Sequence, residues 1–313
     1  MSWSRAALGT VAAIVAIAVG VLAGELTKPA ASGAGSPAPT VSPTASHRPP
    51  PPKTFLPDGS SRLFPGHRVV AYYGAAGAPA LGVLGTDSAE GIWPRLDAQA
   101  REFDHHGPAI LPAYELITFV ATGSGGPDGD YSQRIPDSTI QHYVTAARRH
   151  HALLILDIQP GRGEFLPDAQ SLARWLRLPD VALAIDPEWK LYGHQVPDRQ
   201  IGHTDATAIN QVSAWLDRLT AAQNLPQKLL LVHQFTPDMV HHKSQVASRA
   251  HLAMVFNMDG FGARAVKLAE YHDLARDRRF PIGLKLFYSS DKHRFTPTEA
   301  VRLHPAPAVV DYE

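Results

Sequence analysis

The sequence predicts an α/β fold, a TIM-type (β/α)8 barrel lacking its final helix. Between residues 66 and 313, eight short apolar runs alternate with amphipathic stretches. Strand alternating with helix implies parallel strands joined by crossover helices. That segment also has the length of such a barrel, about 250 residues. The main structural rival, a doubly wound open sheet, would place a Gly-rich dinucleotide fingerprint after its first strand. None follows residues 68–73.

The expected strands are 68–73, 109–117, 152–158, 181–185, 228–234, 252–258, 281–288 and 305–312. Seven helical stretches lie between them. The first follows Asp87-Ser88-Ala89-Glu90, and the second opens on Ser138-Thr139-Ile140-Gln141, which reads as a capping box. The third starts near Pro167-Asp168. The fourth starts near Thr204 and aligns Ile209, Val212, Leu216 and Leu219 on one face. The fifth opens with Thr236-Pro237, an N-cap followed by proline at the first helical position. The sixth follows Gly262, and the last begins Thr296-Pro297-Thr298-Glu299, which combines both devices. The glycine-rich stretch 123–129 lacks the Lys-Ser/Thr of a phosphate loop and reads as a flexible loop on the active face.

Residues 1–24 read as a signal peptide or membrane anchor. One positive charge, Arg5, precedes an apolar run at 6–24 of about the length that crosses a bilayer. Val21-Leu22-Ala23 has the small residues of a cleavage site. Either reading delivers the remainder outside the cytoplasm, with membrane contact through this segment only. Residues 25–65 shift to Pro, Ala, Ser, Thr and Gly, the composition of an extended linker. Lys plus Arg (29) balances Asp plus Glu (29), so the chain offers no basic excess for nucleic acid. With no cysteine, disulfides, thiolate catalysis and Cys-ligated zinc are excluded.

In a (β/α)8 barrel the chemistry gathers where the strands end. Those ends carry Tyr72 and Tyr73, Glu115, Asp157 and Gln159, Asp186 and Glu188, His233 and Gln234, Asn257 and Asp259, Lys285 and Tyr288, and Asp311. Asp186 and Glu188 stand two residues apart and so share a face of an extended strand. Pro187 biases Asp186 towards that extended backbone. The rings of Trp189, Tyr192, Phe235, Phe261 and Tyr312 fall nearby in sequence, and flat rings beside carboxylates suit a saccharide. Close carboxyl groups cannot all ionise cheaply, so one keeps a proton and serves as general acid while a neighbour stays ionised. Glycoside hydrolysis uses such a pair. Glu188 is the expected acid and Asp186 its partner, with Asp157, Asp259 and Asp311 as further candidates. Tyr72, Glu115, Gln159, Trp189, His233, Lys285, Tyr288 and Asp311 are expected to bind substrate.

Tyr72-Tyr73, Asp186-x-Glu188 and Asp259 resemble the layout of chitinase-type glycoside hydrolases of family 18. The fourth-strand Asp-x-Glu is also similar to the lysozyme-type family 25. The chitinase resemblance implies that Glu188 is the proton donor, that Asp186 orients an N-acetyl group, and that Asp259 assists. Val181 and Ala184 stand where the fuller chitinase motif has acids, and Met258 where that family has Tyr. The first-strand Asp of the lysozyme type is absent.

Sixteen histidines raise the question of a metal. The pairs His105-His106, His150-His151 and His241-His242 fall on or beside expected helices, where neighbours point about 100° apart and do not share one ion. No His-Glu-x-x-His occurs, so neither metal nor cofactor is expected. His233 differs because it ends a strand. No Gly-x-Ser-x-Gly marks a serine triad. The expected function is an extracytoplasmic glycoside hydrolase acting on an envelope or extracellular polysaccharide. The alternatives are a non-catalytic carbohydrate-binding barrel, and a lyase or aldolase working through Lys285.

Overall fold

A computed structural model describes residues 52–313. Eight strands form its centre: β1 (His67–Ala75), β2 (Ala109–Ala121), β3 (Leu153–Ile158), β4 (Val181–Ile185), β5 (Lys228–His233), β6 (Leu252–Met258), β7 (Ile282–Leu286) and β8 (Val309–Tyr312). Each pairs in parallel with the next in sequence, and β8 pairs with β1. The sheet is therefore a closed parallel barrel, as expected. β2 runs beyond its expected end and turns back as a hairpin with Ser132–Arg134. The glycine-rich loop is the tip of that hairpin.

Helices α1 (Ala89–Arg101), α2 (Asp137–Arg149), α3 (Phe165–Ser171), α4 (Ala173–Leu176), α5 (Ala206–Ala222), α6 (Arg264–Leu274) and α7 (Pro297–Ala300) lie between the strands. Ser88 caps α1 by accepting from the Gly91 amide, and Thr296 with Glu299 forms the full capping box of α7. The box expected at the second helix does not form. Pro136 holds the N-cap position, so Ser138 already lies inside the first turn and caps nothing. The fifth expected helix is also replaced, by two single 3-10 turns at Pro237–Met239 and Lys243–Gln245. His242 sits between them with left-handed backbone (φ 53°), and Val240–His241 pairs instead with Thr204–Asp205. The start signal at Thr236-Pro237 is real, but no apolar stripe follows to hold a helix.

Alternation along the strands sorts the core into two layers. Val70, Tyr72 and their counterparts pack outward under the helices. Val69, Ala71, Leu153, Ile155, Ala182 and Ala184 are among the residues that fill the barrel's lower interior. Leu56 and Leu63 belong to that inner cluster and stopper the end where the strands begin. Residues 54–65, assigned by composition to the linker's tail, thus lie on the barrel. Gln227 fixes this stopper by accepting from the Leu63 amide at 3.0 Å. Leu63→Ala should cost about 2–5 kcal/mol, the usual range for a buried Leu, and urea unfolding of the full chain measures it. No helix among the described residues is long and apolar enough to cross a membrane. The apolar run 6–24 lies outside them.

Candidate active site

One step above the last apolar layer, the same inward alternation turns polar on every strand. Tyr73, Glu115, Asp157, Asp186, His233, Asn257, Lys285 and Asp311 are all buried there. Few barrels could stack such groups without pairing them, and the pairing centres on His233. Its Nε2 lies 2.9 Å from Glu115 Oε1, and its Nδ1 lies 3.1 Å from Asp259 Oδ2. Burial alone would lower the imidazole's pKa. The contacts with Asp259 and Glu115 outweigh burial and raise it well above the ordinary value. His233 is therefore an imidazolium held between two acids.

Tyr73 builds the other half. Its hydroxyl donates to Asp157 Oδ2 at 3.1 Å and accepts from Gln159 Nε2 at 3.1 Å. The Lys285 ammonium sits 3.1 Å from the centre of the Tyr73 ring, 2.8 Å from Glu313 and 3.8 Å from Asp311. Burial disfavours the charged lysine, but Glu313 and Asp311 reverse that and raise its pKa. These two acids hold Lys285 in its charged form. Asp157 is pushed up to about 6 by burial, with His233 opposing. Asp311 is raised well above the carboxylate range by burial and by Glu115.

Above this ring stand Asp186, Glu188 and Asp259, with one carboxylate oxygen of each within 4.8 Å of the others. The sequence placed the first two on one face of a strand. In the structure β4 stops at Ile185, and Asp186 caps a 3-10 turn, Pro187–Trp189, by accepting from the Glu188 amide at 3.1 Å. Asp186 itself keeps the extended backbone that Pro187 favours (φ −117°, ψ 94°). The two acids converge through a turn instead of a strand. Burial and Asp259 push Glu188 up to about 8, and burial raises Asp186 well above its ordinary value. Glu188 thus carries a proton at neutral pH.

The turn is clamped from behind. The Gly202 amide donates to the Glu188 carbonyl at 2.6 Å. A Cβ on Gly202 would lie 2.3 Å from the Lys190 carbonyl and 2.4 Å from that of Glu188, so only glycine fits. Lys190 reaches back to Glu164 Oε1 and the Gly163 carbonyl, each at 2.8 Å.

Two expected binding residues lie elsewhere. Tyr72 is one position out of step with Tyr73 and faces the helix layer, where its hydroxyl donates to the Arg95 carbonyl at 3.1 Å. Tyr288 packs against Tyr72 and Tyr312 on that outer side and donates to Gln99 Oε1 at 2.8 Å. Gln159 joins the ring through Tyr73, and Trp189 stands partly exposed on the turn beside Glu188. Glu313, two residues beyond Asp311, was absent from the expected set; continuing the β8 alternation by one step would have found it.

Two groups are spaced closely enough to share an ion: Glu115, Asp157 and His233, and Asp186, Glu188 and Asp259. The second offers three carboxylates, the kind of oxygen donor that a hard cation such as calcium takes together with water.

No model of a known protein family matches the sequence, and no curated protein matches it. The resemblance to the chitinase and lysozyme types therefore gains no support there. Among solved structures, the crystal structure of a hyperthermophilic endo-beta-1,4-glucanase in complex with substrate aligns at 6% identity with a TM-score of 0.36. The alignment covers 65% of this chain and 77% of that one. A likeness this slight carries no argument about substrate. The fold and the site together define a (β/α)8 barrel whose C-terminal mouth is lined with buried, closely spaced acids, some of them paired with His233 and Lys285.

Proposed function

We propose that the protein is a glycoside hydrolase acting on a polysaccharide, with Glu188 as general acid. The observation that supports this most directly is the Asp186–Glu188–Asp259 group, three converging carboxyls, with Glu188 pushed up to about 8 and Asp186 raised as well. In this reading Glu188 protonates the glycosidic oxygen as the bond to the anomeric carbon breaks. Asp259, lying against the His233 imidazolium, supplies negative charge to the opposite side of the developing oxocarbenium ion. Asp186 orients the sugar beside them. Retaining enzymes keep their two carboxyls about 5–5.5 Å apart, whereas inverting ones leave room for water at about 6.5–9.5 Å. One oxygen of Glu188 and one of Asp259 lie within 4.8 Å of each other, short of the inverting range, which favours the retaining outcome. The first-formed reducing sugar should keep the configuration of the bond cleaved, as read by proton NMR during hydrolysis of a polysaccharide panel. An inverted first product, or no product from any glycan that binds, would count against it.

One observation favours a second reading, a barrel that binds glycans without cleaving them. Val181 and Ala184 are apolar and buried where the chitinase motif has acids. Binding without product in the same assay would select it. The proposal also includes delivery outside the cytoplasm, which is supported by the composition of residues 6–24 alone and is tested by cell fractionation.

A further inference from the structure

The ring beneath Glu188 is less completely paired than its short contacts suggest. Asp157 is fully buried on β3, and its Oδ2 accepts from the Tyr73 hydroxyl, but its Oδ1 has no hydrogen-bond partner. That oxygen lies 3.9 Å from His233 Nε2, too far to bond it directly. Glu115 Oε1 approaches the same ring nitrogen at 2.9 Å, while Glu115 Oε2, equally buried, has no partner. Buried polar atoms left this way normally meet a ligand or solvent. Two acids from different strands thus close on one imidazole nitrogen, and the one bond between them leaves Asp157 Oδ1 unused.

We propose that Glu115, Asp157 and His233 Nε2 bind a divalent transition-metal ion such as zinc. Two donors each about 2.0–2.2 Å from zinc stand roughly 3–4 Å apart over angles from about 90° to about 140°. The separations of 2.9 and 3.9 Å span that window. A donor atom from each of the three residues lies within 4.8 Å of the other two. The surroundings suit a metal-bound histidine as well. His233 Nδ1 faces Asp259 Oδ2 at 3.1 Å, and such a ligand commonly has a carboxylate behind its second nitrogen. Ligating carboxylates are in turn held by hydrogen bonds, as Tyr73 holds Asp157. Imidazole suits zinc, iron, nickel or copper, whereas calcium and magnesium take oxygen donors. Two carboxylates and a neutral imidazole balance the ion's double charge. In the metal-free chain a proton on Nε2 stands in the ion's place, and binding releases it to solvent. The paired histidines of the sequence gave no sign of this site because its ligands come singly from β2, β3 and β5. The inference is independent of the hydrolase reading, since neither Asp186 nor Glu188 is a ligand.

The test strips the full chain with EDTA and titrates it calorimetrically with zinc chloride, added both to the native protein and during refolding from urea because the ligands are buried. One equivalent should bind with a Kd at or below about 1 μM. Tyr73→Phe, which loses only the support of Asp157, should weaken binding by about 10–100-fold. Asp157→Asn should weaken it further, and Glu188→Gln should leave it unchanged. X-ray absorption at the zinc edge of the unaltered protein answers the question even if a variant folds poorly: one imidazole with oxygen ligands is expected. Two or more imidazoles would assign the ion to surface histidines and overturn the inference. Absence of stoichiometric binding under both loading conditions would overturn it too. So would full affinity in Asp157→Asn, or a loss confined to Glu188→Gln, which would move the ion to the acids above.

Discussion

Glu188→Gln should lower kcat on a confirmed substrate by about 10²–10⁴-fold, the range for loss of a general acid, and should leave the fold unchanged. Glutamine is nearly the same shape as a protonated glutamate, and Glu188 makes no ion pair among the described residues, so nothing in the structure depends on its charge. The wild-type pH profile provides an independent check. A general acid must be protonated to act, and burial with the nearby Asp259 lifts Glu188 to about 8. Activity should therefore hold through neutrality and decline as pH rises through about 8. In Glu188→Gln that alkaline limb should disappear from whatever activity remains. An unchanged kcat would show that the proton comes from elsewhere, and an unchanged alkaline limb would separate Glu188 from the ionisation that sets it.

Replacing His233 should have the largest effect on stability. His233→Leu removes the cation between Glu115 and Asp259 and leaves two acids buried without compensation. Breaking a buried pair from one side costs about 3–5 kcal/mol, and unfolding in guanidinium chloride measures it. The pH dependence has a defined sign. The folded pKa of His233 is raised, so its contribution is fully present below about 6.5, the unfolded value, and is lost as pH rises through the folded pKa. Asp157, Asp186 and Asp311 are raised as well. The native state therefore holds more protons than the unfolded chain, and these acids favour folding least once pH exceeds their folded values. Both effects point the same way, so the wild type should be more stable at pH 5 than at pH 8. The deficit of His233→Leu should shrink as pH rises through the folded pKa of His233, where the wild type loses the same charge. A deficit independent of pH would mean that His233 contributes packing and not charge.

All eight barrel strands were legible because each is a short apolar run bounded by turn residues, as in 181–185 between Asp180 and Asp186-Pro187. Which face of β1 turns inward was not legible, since Val69, Val70, Ala71, Tyr72 and Tyr73 are apolar or aromatic alike and all buried, so Tyr72 and Tyr73 could not be told apart. The missing helix after β5 was not legible from its start signal, because a cap states where a helix would begin and not whether packing sustains it. The raised pKa of Glu188 owes most to burial and next to Asp259, 71 positions later in the sequence, which meets it only once β4 and β6 stand on either side of β5 at the mouth. The fate of Lys285 likewise depends on Glu313, brought alongside by β8. Strand ends name the candidates, but closure of the barrel decides which of them face one another.

The backbone clamp behind Glu188 divides its loop into parts with different tolerance for change. Gly202 grips the Glu188 carbonyl, Thr204–Asp205 bridges to Val240–His241, and Asp205 caps α5 by accepting from the Ala208 amide at 2.9 Å. A helix, the turn that carries Glu188 and the neighbouring loop are thereby one mechanical piece. Residues 193–200 are turns with Gly193, His194, Asp198 and Arg199 exposed, tied down at Gln195, whose carbonyl accepts from Arg162 at 2.9 Å. For an engineer they are the grafting site. A longer or differently charged rim could be spliced in there to change which chains reach the mouth, while the acid stays where Gly202 holds it.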